Sequence, residues 1–227
     1  MKNTILIFCS WLGVDNNIGI FFRKQAALVS EKYNPILVVF RKNYLSKNNI
    51  NYKKSFKVLE KKTKEELFVL EIFYPHSDRL PKKINIYFER KAIEFLSEYL
   101  ITKNIEVSFI HAHSLFDAGI WAFRYFSKFK TPYIVTEHNQ LSFYNVGNHK
   151  CKLVKNALQN STVNLVVSND KIRQFVANGL FFDFENIGNL INNEFCYNEI
   201  DNKSRVKKLV PICFYCRVCL KECLSQF

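Results

Sequence analysis

Short unbroken apolar runs alternate along the chain with segments whose apolar residues recur at helical spacing. TILIFCS (4–10), PILVVF (35–40), VSFIHAH (107–113), PYIVTEH (132–138) and VNLVVSN (163–169) are of the first kind. Runs like these belong to strands covered on both faces, as parallel sheets require. LFVLEIFY (67–74) is a further strand, expected to end at Pro75. Between them, IGIFFRKQAALVSEKY (18–33) places Ile20, Phe21, Lys24, Ala27 and Leu28 at helical spacing on neighbouring faces. INIYFERKAIEFLSEYLITKN (84–104) sets Ile86, Phe88, Ile93, Leu96 and Leu100 mostly on one stripe. DAGIWAFRYFSKF (117–129), KCKLVKNALQNS (150–161) and DKIRQFVANGL (170–180) continue the alternation, with Pro132 at a strand entry and Gly179 at a helix end.

Strand and helix units of this length specify an α/β fold, a Rossmann-like parallel sheet with helices on both faces, because parallel neighbours need a right-handed crossover. Ligands of such sheets bind beyond the carboxyl ends of the strands. Four polar groups stand there: WLGVDNNIG after the first run, HAHS after VSFI, TEHN after PYIV and SND after VNLVV.

Composition narrows the class. The 227 residues are 48% hydrophobic, enough for one large core or for one domain with a fragment of another. The opening MKNTILIFCSWLGV carries a single basic residue and no small-x-small cleavage site, so it reads as a first buried strand and not as a signal peptide. No apolar run reaches the ~20 residues of a membrane span. Cys9, Cys151 and Cys196 are scattered singly and show no disulfide framework, which suits a reducing, cytoplasmic setting. The net charge of +13 is uneven: residues 41–64 hold nine Lys/Arg against one acid. That block reads as a solvated, mobile insertion, and as a contact for an anionic membrane surface on the inner face of the membrane. Nucleic acid is not the expected partner, since no nucleic-acid-binding motif accompanies the charge.

Two constellations suggest other chemistry. His111 and His113 share one face of a strand at i and i+2, the way metal-dependent hydrolases begin a ligand set. Only His138 and His149 follow, and the chain is too short for a ~250-residue barrel, so metal hydrolysis is not expected. The second is CFYCRVCLKEC (213–223), where Cys213, Cys216, Cys219 and Cys223 stand at the spacing of a ferredoxin cluster run. It lacks the proline after the fourth cysteine, a second cysteine group and the small enclosing fold; an iron–sulfur or zinc-binding redox protein is the alternative reading.

NIGIFFRKQAALV, FIHAHSLFDAGIWAFRYFSKFKTPYIVTEHNQLSF, and NLVVSNDKIRQFVANGL followed by NIGNLINNEF resemble the N-terminal domain of a family 4 glycosyltransferase of the twin-Rossmann, GT-B type. The resemblance runs from Met1 to about Phe195. Its most specific part is HAHS followed by TEH about 25 residues later, across an Ala/Phe-rich helix and an apolar strand. One departure is Gly188 before Asn189, where the family usually has a proline. The resemblance implies retaining sugar transfer, in polysaccharide or glycolipid biosynthesis, from a nucleotide-diphosphate sugar to a glycan or lipid-linked acceptor, with no cofactor and no metal. It implies that Gly19 brings backbone close to the donor diphosphate, where a side chain would intrude. It implies that His138 faces the sugar and the reaction centre, and that His113, Glu137 and Asn139 belong to the acceptor cleft. Glu137, next to His138 on a regular strand, points to the opposite face and is expected to fix a loop. His111 is expected to help hold the loop. The implied organisation is a glycosyltransferase N-terminal domain over 1–195. Residues 196–227 are then a truncated or non-native tail where the donor-binding domain would begin, leaving a chain inactive on its own.

Overall fold

The computed structural model describes residues 2–14, 18–45, 55–139 and 148–188. Its elements follow in the order β1 (Thr4–Cys9), α1 (Ile20–Val29), β2 (Asn34–Tyr44), β3 (Lys57–Lys62), β4 (Phe68–His76), α2 (Lys82–Thr102), β5 (Val107–His113), α3 (Ile120–Phe129), β6 (Tyr133–Glu137), α4 (Asn148–Asn160), β7 (Val163–Val166), α5 (Asn169–Ala177) and β8 (Glu185–Asn186). The eight strands lie in the order β3-β4-β2-β1-β5-β6-β7-β8. Every pairing is parallel except that of β3 with β4. The sheet is therefore the Rossmann-like α/β arrangement expected from the alternating runs.

Strand order reverses direction between β1 and β5. From β1 the chain moves to β2 on one side, and after α2 it returns to β5 on the other side. The loops leaving the carboxyl ends of β1 and β5 thus part around a crevice, the place where open α/β sheets take ligands. Register brings Cys9 level with His113 and His113 level with Thr136, so three strand ends meet there at one height.

Two apolar layers hold the sheet. On one face Leu6, Phe8, Val38, Leu70, Ile110, Ala112 and Val135 pack with Phe88, Ile93, Leu96, Trp121, Val154 and Phe175 from α2 to α5. On the other face Ile5, Ile7, Leu37, Val39, Phe109 and Ile134 pack with Phe22, Ala26 and Val29 of α1. Alternation along each strand assigns its side chains to these layers in turn.

The buried stripe of α1 is Phe22, Arg23, Ala26 and Val29, and Arg23, 3% exposed, donates to the carbonyl of Val14 at 2.9 Å. Two sequence expectations need correction. Pro75 does not end β4, which continues to His76. Phe73 is the last β4 residue paired with β3, so the N–H that Pro75 lacks has no β3 acceptor to serve.

The basic stretch 41–64 is not wholly an insertion either. Arg41 to Tyr44 extend β2, and Lys57–Lys62 form an edge strand antiparallel to β4. Residues 46–54 lie outside the described residues. Part of the block's charge is neutralised from beyond it. Glu71 of β4, almost wholly buried, accepts ion pairs from Arg41 at 2.8 Å and Lys61 at 2.7 Å. Burial alone would raise the Glu71 pKa, but hydrogen bonds from Lys61 and Arg41 outweigh it and hold the carboxyl below its ordinary range. Lys62 pairs with Glu66, and Lys57 lies over the Phe73 ring.

Candidate functional site

Beyond the carboxyl end of β1 the chain must leave the sheet and turn into α1, and Gly19 makes the turn. Its φ of +71° is left-handed, which favours glycine. A Cβ built there would stand 2.8 Å from Phe22 Cδ2 and 2.9 Å from the carbonyl oxygen of Trp11. Two arginines support the same loop from below. Arg41 donates to the carbonyl of Leu12 at 2.5 Å, and Arg23 to that of Val14.

The loop leaving β5 is tied to the first one by Ser10. Its hydroxyl donates to the carbonyl of Phe116 at 2.6 Å and accepts from the N–H of Ala118 at 3.2 Å; the His113 carbonyl also lies within 3.2 Å. This second loop carries two non-glycine residues at positive φ, Ser114 at +77° and Asp117 at +68°. Such conformations cost of order 1–3 kcal/mol each and persist only where surroundings impose them. Glu137 supplies that restraint. Its carboxylate accepts from the Leu115 N–H at 2.8 Å, the Asn139 N–H at 2.7 Å and the Ser114 hydroxyl at 3.2 Å. Asn139 adds a bond from Nδ2 to Ser114 Oγ at 2.8 Å. Burial raises the Glu137 pKa, and the hydrogen bonds it accepts offset only part of that rise.

On the other face of β5 and β6 lie three histidines. Nε2 of His111 is 2.7 Å from Thr136 Oγ1, and the His111 and His113 rings are 3.9 Å apart. Nδ1 of His113 is 2.9 Å from Nε2 of His138. His113 is fully buried, whereas His138 is half-buried at the rim. Phe21 and Phe22 cover the cluster from α1, with ring centroids 4.8 Å from His138 and 5.1 Å from His113 respectively. Trp11 extends the aromatic group, 5.3 Å from Phe22.

All three imidazoles are neutral near pH 7. Burial pushes His111 down to about 3, with His138 adding to the effect. Burial, then His111 and His138, hold His113 well below the usual range. His138 is lowered to about 4 by burial and by the ammonium of Lys171, which itself donates to the Asn139 carbonyl at 2.7 Å. A neutral imidazole beside aromatic rings and a nearby cation can hydrogen-bond a polar ligand and favour negative charge. Among the described residues no group of three or more His, Cys, Asp or Glu is arranged to hold a metal ion.

Gly19 and His138 both neighbour the Phe21–Phe22 pair, Gly19 against Phe22 and His138 with its ring centroid 4.8 Å from that of Phe21. His113 stands behind His138, and Asn139 lies beside it. Glu137 is buried on the opposite face and makes its contacts to the β5 loop. Cys213, Cys216, Cys219 and Cys223, and the boundary at residues 195 and 196, lie outside the described residues. Sequence reasoning passed over Ser10, Arg23, Arg41 and Ser114. Of these only Arg23 left a signal, as a charge inside an otherwise apolar helical phase.

The chain matches no family model and no curated protein sequence. Among solved structures it is similar to a sucrose-phosphate synthase from Thermosynechococcus elongatus, with a TM-score of 0.52 and 14% identity over 84% of this chain and 91% of that one. It is also similar to the catalytic domain of starch synthase IV from Arabidopsis thaliana, bound to ADP and acarbose, with a TM-score of 0.50 and 12% identity over 85% of this chain. The chain spans about half of that starch synthase chain, 52%. At these identities the likeness is one of fold: a mostly parallel Rossmann-like sheet of the GT-B kind.

Proposed function

We propose that this chain is the acceptor-side domain of a retaining glycosyltransferase of the GT-B, family 4 type. Its donor is a nucleotide-diphosphate sugar and its acceptor a glycan or a lipid-linked sugar, in polysaccharide or glycolipid assembly. The observation that supports the reading is that Gly19, after β1, and His138, after β6, both border the Phe21–Phe22 pair. His138 hydrogen-bonds the transferred sugar, and the Gly19 turn lets backbone approach the diphosphate. The fold neighbours include proteins that make sucrose phosphate and starch, which supports a sugar substrate. Asn139 and Glu137 hold the floor of the acceptor side, with Glu137 acting through the Ser114 loop. No cofactor or metal has a role in this reading.

In this account a second domain, not among the described residues, grips the nucleotide. Placement in the cytoplasm, at the inner membrane face, belongs to the same reading; no helix among the described residues is long and apolar enough to cross a membrane. The alternative, an iron–sulfur or zinc-binding redox protein, rests on Cys213, Cys216, Cys219 and Cys223, which lie outside the described residues.

Saturation-transfer NMR with the 227-residue chain and a panel of nucleotide sugars and oligosaccharides tests the proposal. We expect weak transfer of saturation from the aromatic cluster to sugar protons, lost in His138→Ala, with no glycosylated product. A panel without a single responding sugar would count against it.

A further inference from the structure

Two ring nitrogens that meet between β5 and β6 share one hydrogen, and its position decides what His138 offers a ligand. Nδ1 of His113 lies 2.9 Å from Nε2 of His138. Both rings are neutral, so one nitrogen donates and the other accepts. The other nitrogen of His113, Nε2, is buried and has no partner. If Nε2 carried the hydrogen, a buried N–H would be left without an acceptor, the rarest orphan in folded proteins. The Phe22 ring, tilted by 55° at 5.1 Å, offers that N–H only a weak π contact. A bare Nε2 is merely an unfilled acceptor and costs less. The hydrogen of His113 therefore sits on Nδ1 and points at His138.

We propose that His113 is a positioning residue that fixes His138 as the Nδ1–H tautomer, so that the open side of the cluster presents a hydrogen-bond donor to an oxygen of the sugar. The ligand's identity rests on the functional reading above; the tautomer is a property of this chain alone. Nδ1 of His138 makes no hydrogen bond among the described residues, and the ring stands half-buried at the rim of the cluster. His111 packs against His113 from behind and is itself held by Thr136, which keeps the His113 ring from turning away. A donor at this point selects for hydroxyl or carbonyl oxygens, and it cannot take up a proton through Nδ1. His138 therefore orients and stabilises, and does not act as a general base from this nitrogen.

The test is a long-range proton–nitrogen spectrum of the full chain labelled with ¹⁵N-histidine, at pH 7. We expect His138 and His113 both to carry hydrogen on Nδ1, with Nε2 bare. In His113→Leu the bare Nε2 of His138 loses its donor, and its nitrogen resonance should move downfield toward that of an unbonded acceptor. His113→Asn, whose amide places an N–H near the original Nδ1, should move it back, which a merely space-filling role would not. Hydrogen on Nε2 of wild-type His138, or an unchanged Nε2 resonance in a folded His113→Leu, would overturn the proposal. If the leucine variant does not fold, the wild-type spectrum and the asparagine variant decide. The stated tautomer with no response of His138 to sugars would remove the functional reading and leave the pairing in place.

Discussion

Ser10 and Phe116 stand 106 positions apart in sequence, yet the Ser10 hydroxyl donates to the Phe116 carbonyl at 2.6 Å and joins the two loops that flank the crevice. A hydroxyl has one hydrogen, so the shortest contact identifies its acceptor, and the Ala118 N–H fills a lone pair from the other side. Ser10→Ala leaves both backbone groups without this partner. We expect a loss of about 1–3 kcal/mol in urea unfolding, with weakened sugar binding because Ser114 and Asp117 lose part of their restraint.

Gly19→Ala joins two penalties. The positive φ disfavours any side chain, and the added Cβ meets Trp11 backbone, which cannot rotate aside as a side chain can. We expect a destabilisation of about 2 kcal/mol or more, against about 1 kcal/mol for Gly179→Ala, which carries the backbone penalty alone because nothing lies within 4 Å of its Cβ. Equal losses at the two sites, by chemical denaturation, would show that the close approach at Gly19 is of no energetic consequence.

Much of this arrangement could be read from the sequence, and the failures have physical causes. The runs that became β1, β5 and β6 are covered on both sides, so their apolarity is continuous and unambiguous. Edge strand β3, KVLEKK, is largely exposed, and its charges find separate partners, Lys61 with Glu71 and Lys62 with Glu66, so it reads as a charged loop. Helix α1 is apolar on two sides, so hydrophobic spacing alone does not choose its inner face; the carbonyl that holds buried Arg23 is nine residues away in a loop whose path no periodicity reveals. Gly19 at a turn after the first strand and His138 just past a strand end were legible as positions in the sequence. The contacts through Ser10 and Arg41 depend on sequence-distant partners and were invisible.

Acid should loosen the fold before the carboxylates titrate. The folded pKa values of His111, His113 and His138 lie below the unfolded value of about 6.5. Their contribution is fully present above pH 6.5 and is lost as pH falls, because the unfolded chain takes up protons that the folded chain refuses. Each such histidine steepens the loss by up to about 1.4 kcal/mol per pH unit. Glu137, with its raised pKa, works with the opposite sign and softens the decline. Unfolding free energies measured from pH 7 to 5 should fall, and His113→Phe should flatten the slope; a flat wild-type profile would contradict neutral burial of the cluster.

Breaking the Glu71 pair should cost more than a surface ion pair. Glu71→Gln leaves Arg41 half-exposed without its anion, and Arg41 also carries the Leu12 carbonyl. We expect a loss of about 1–3 kcal/mol, since ordinary exposed pairs give up to about 1 and fully buried ones 3–5. The loss should persist in molar salt, which would abolish a purely screened surface interaction.

The most direct measurement is the histidine spectrum of the intact chain during titration with a nucleotide sugar, uridine diphosphate glucose, and with an oligosaccharide. The chain has five histidines, and only His138 and its partners His113 and His111 line the proposed site, while His76 and His149 serve as internal controls. The account calls for His138 to move first and furthest, with His113 following through the shared hydrogen bond and the controls still. Movement of His76 or His149 alone, or no movement at millimolar sugar, would contradict a sugar site at the crevice between β1 and β5.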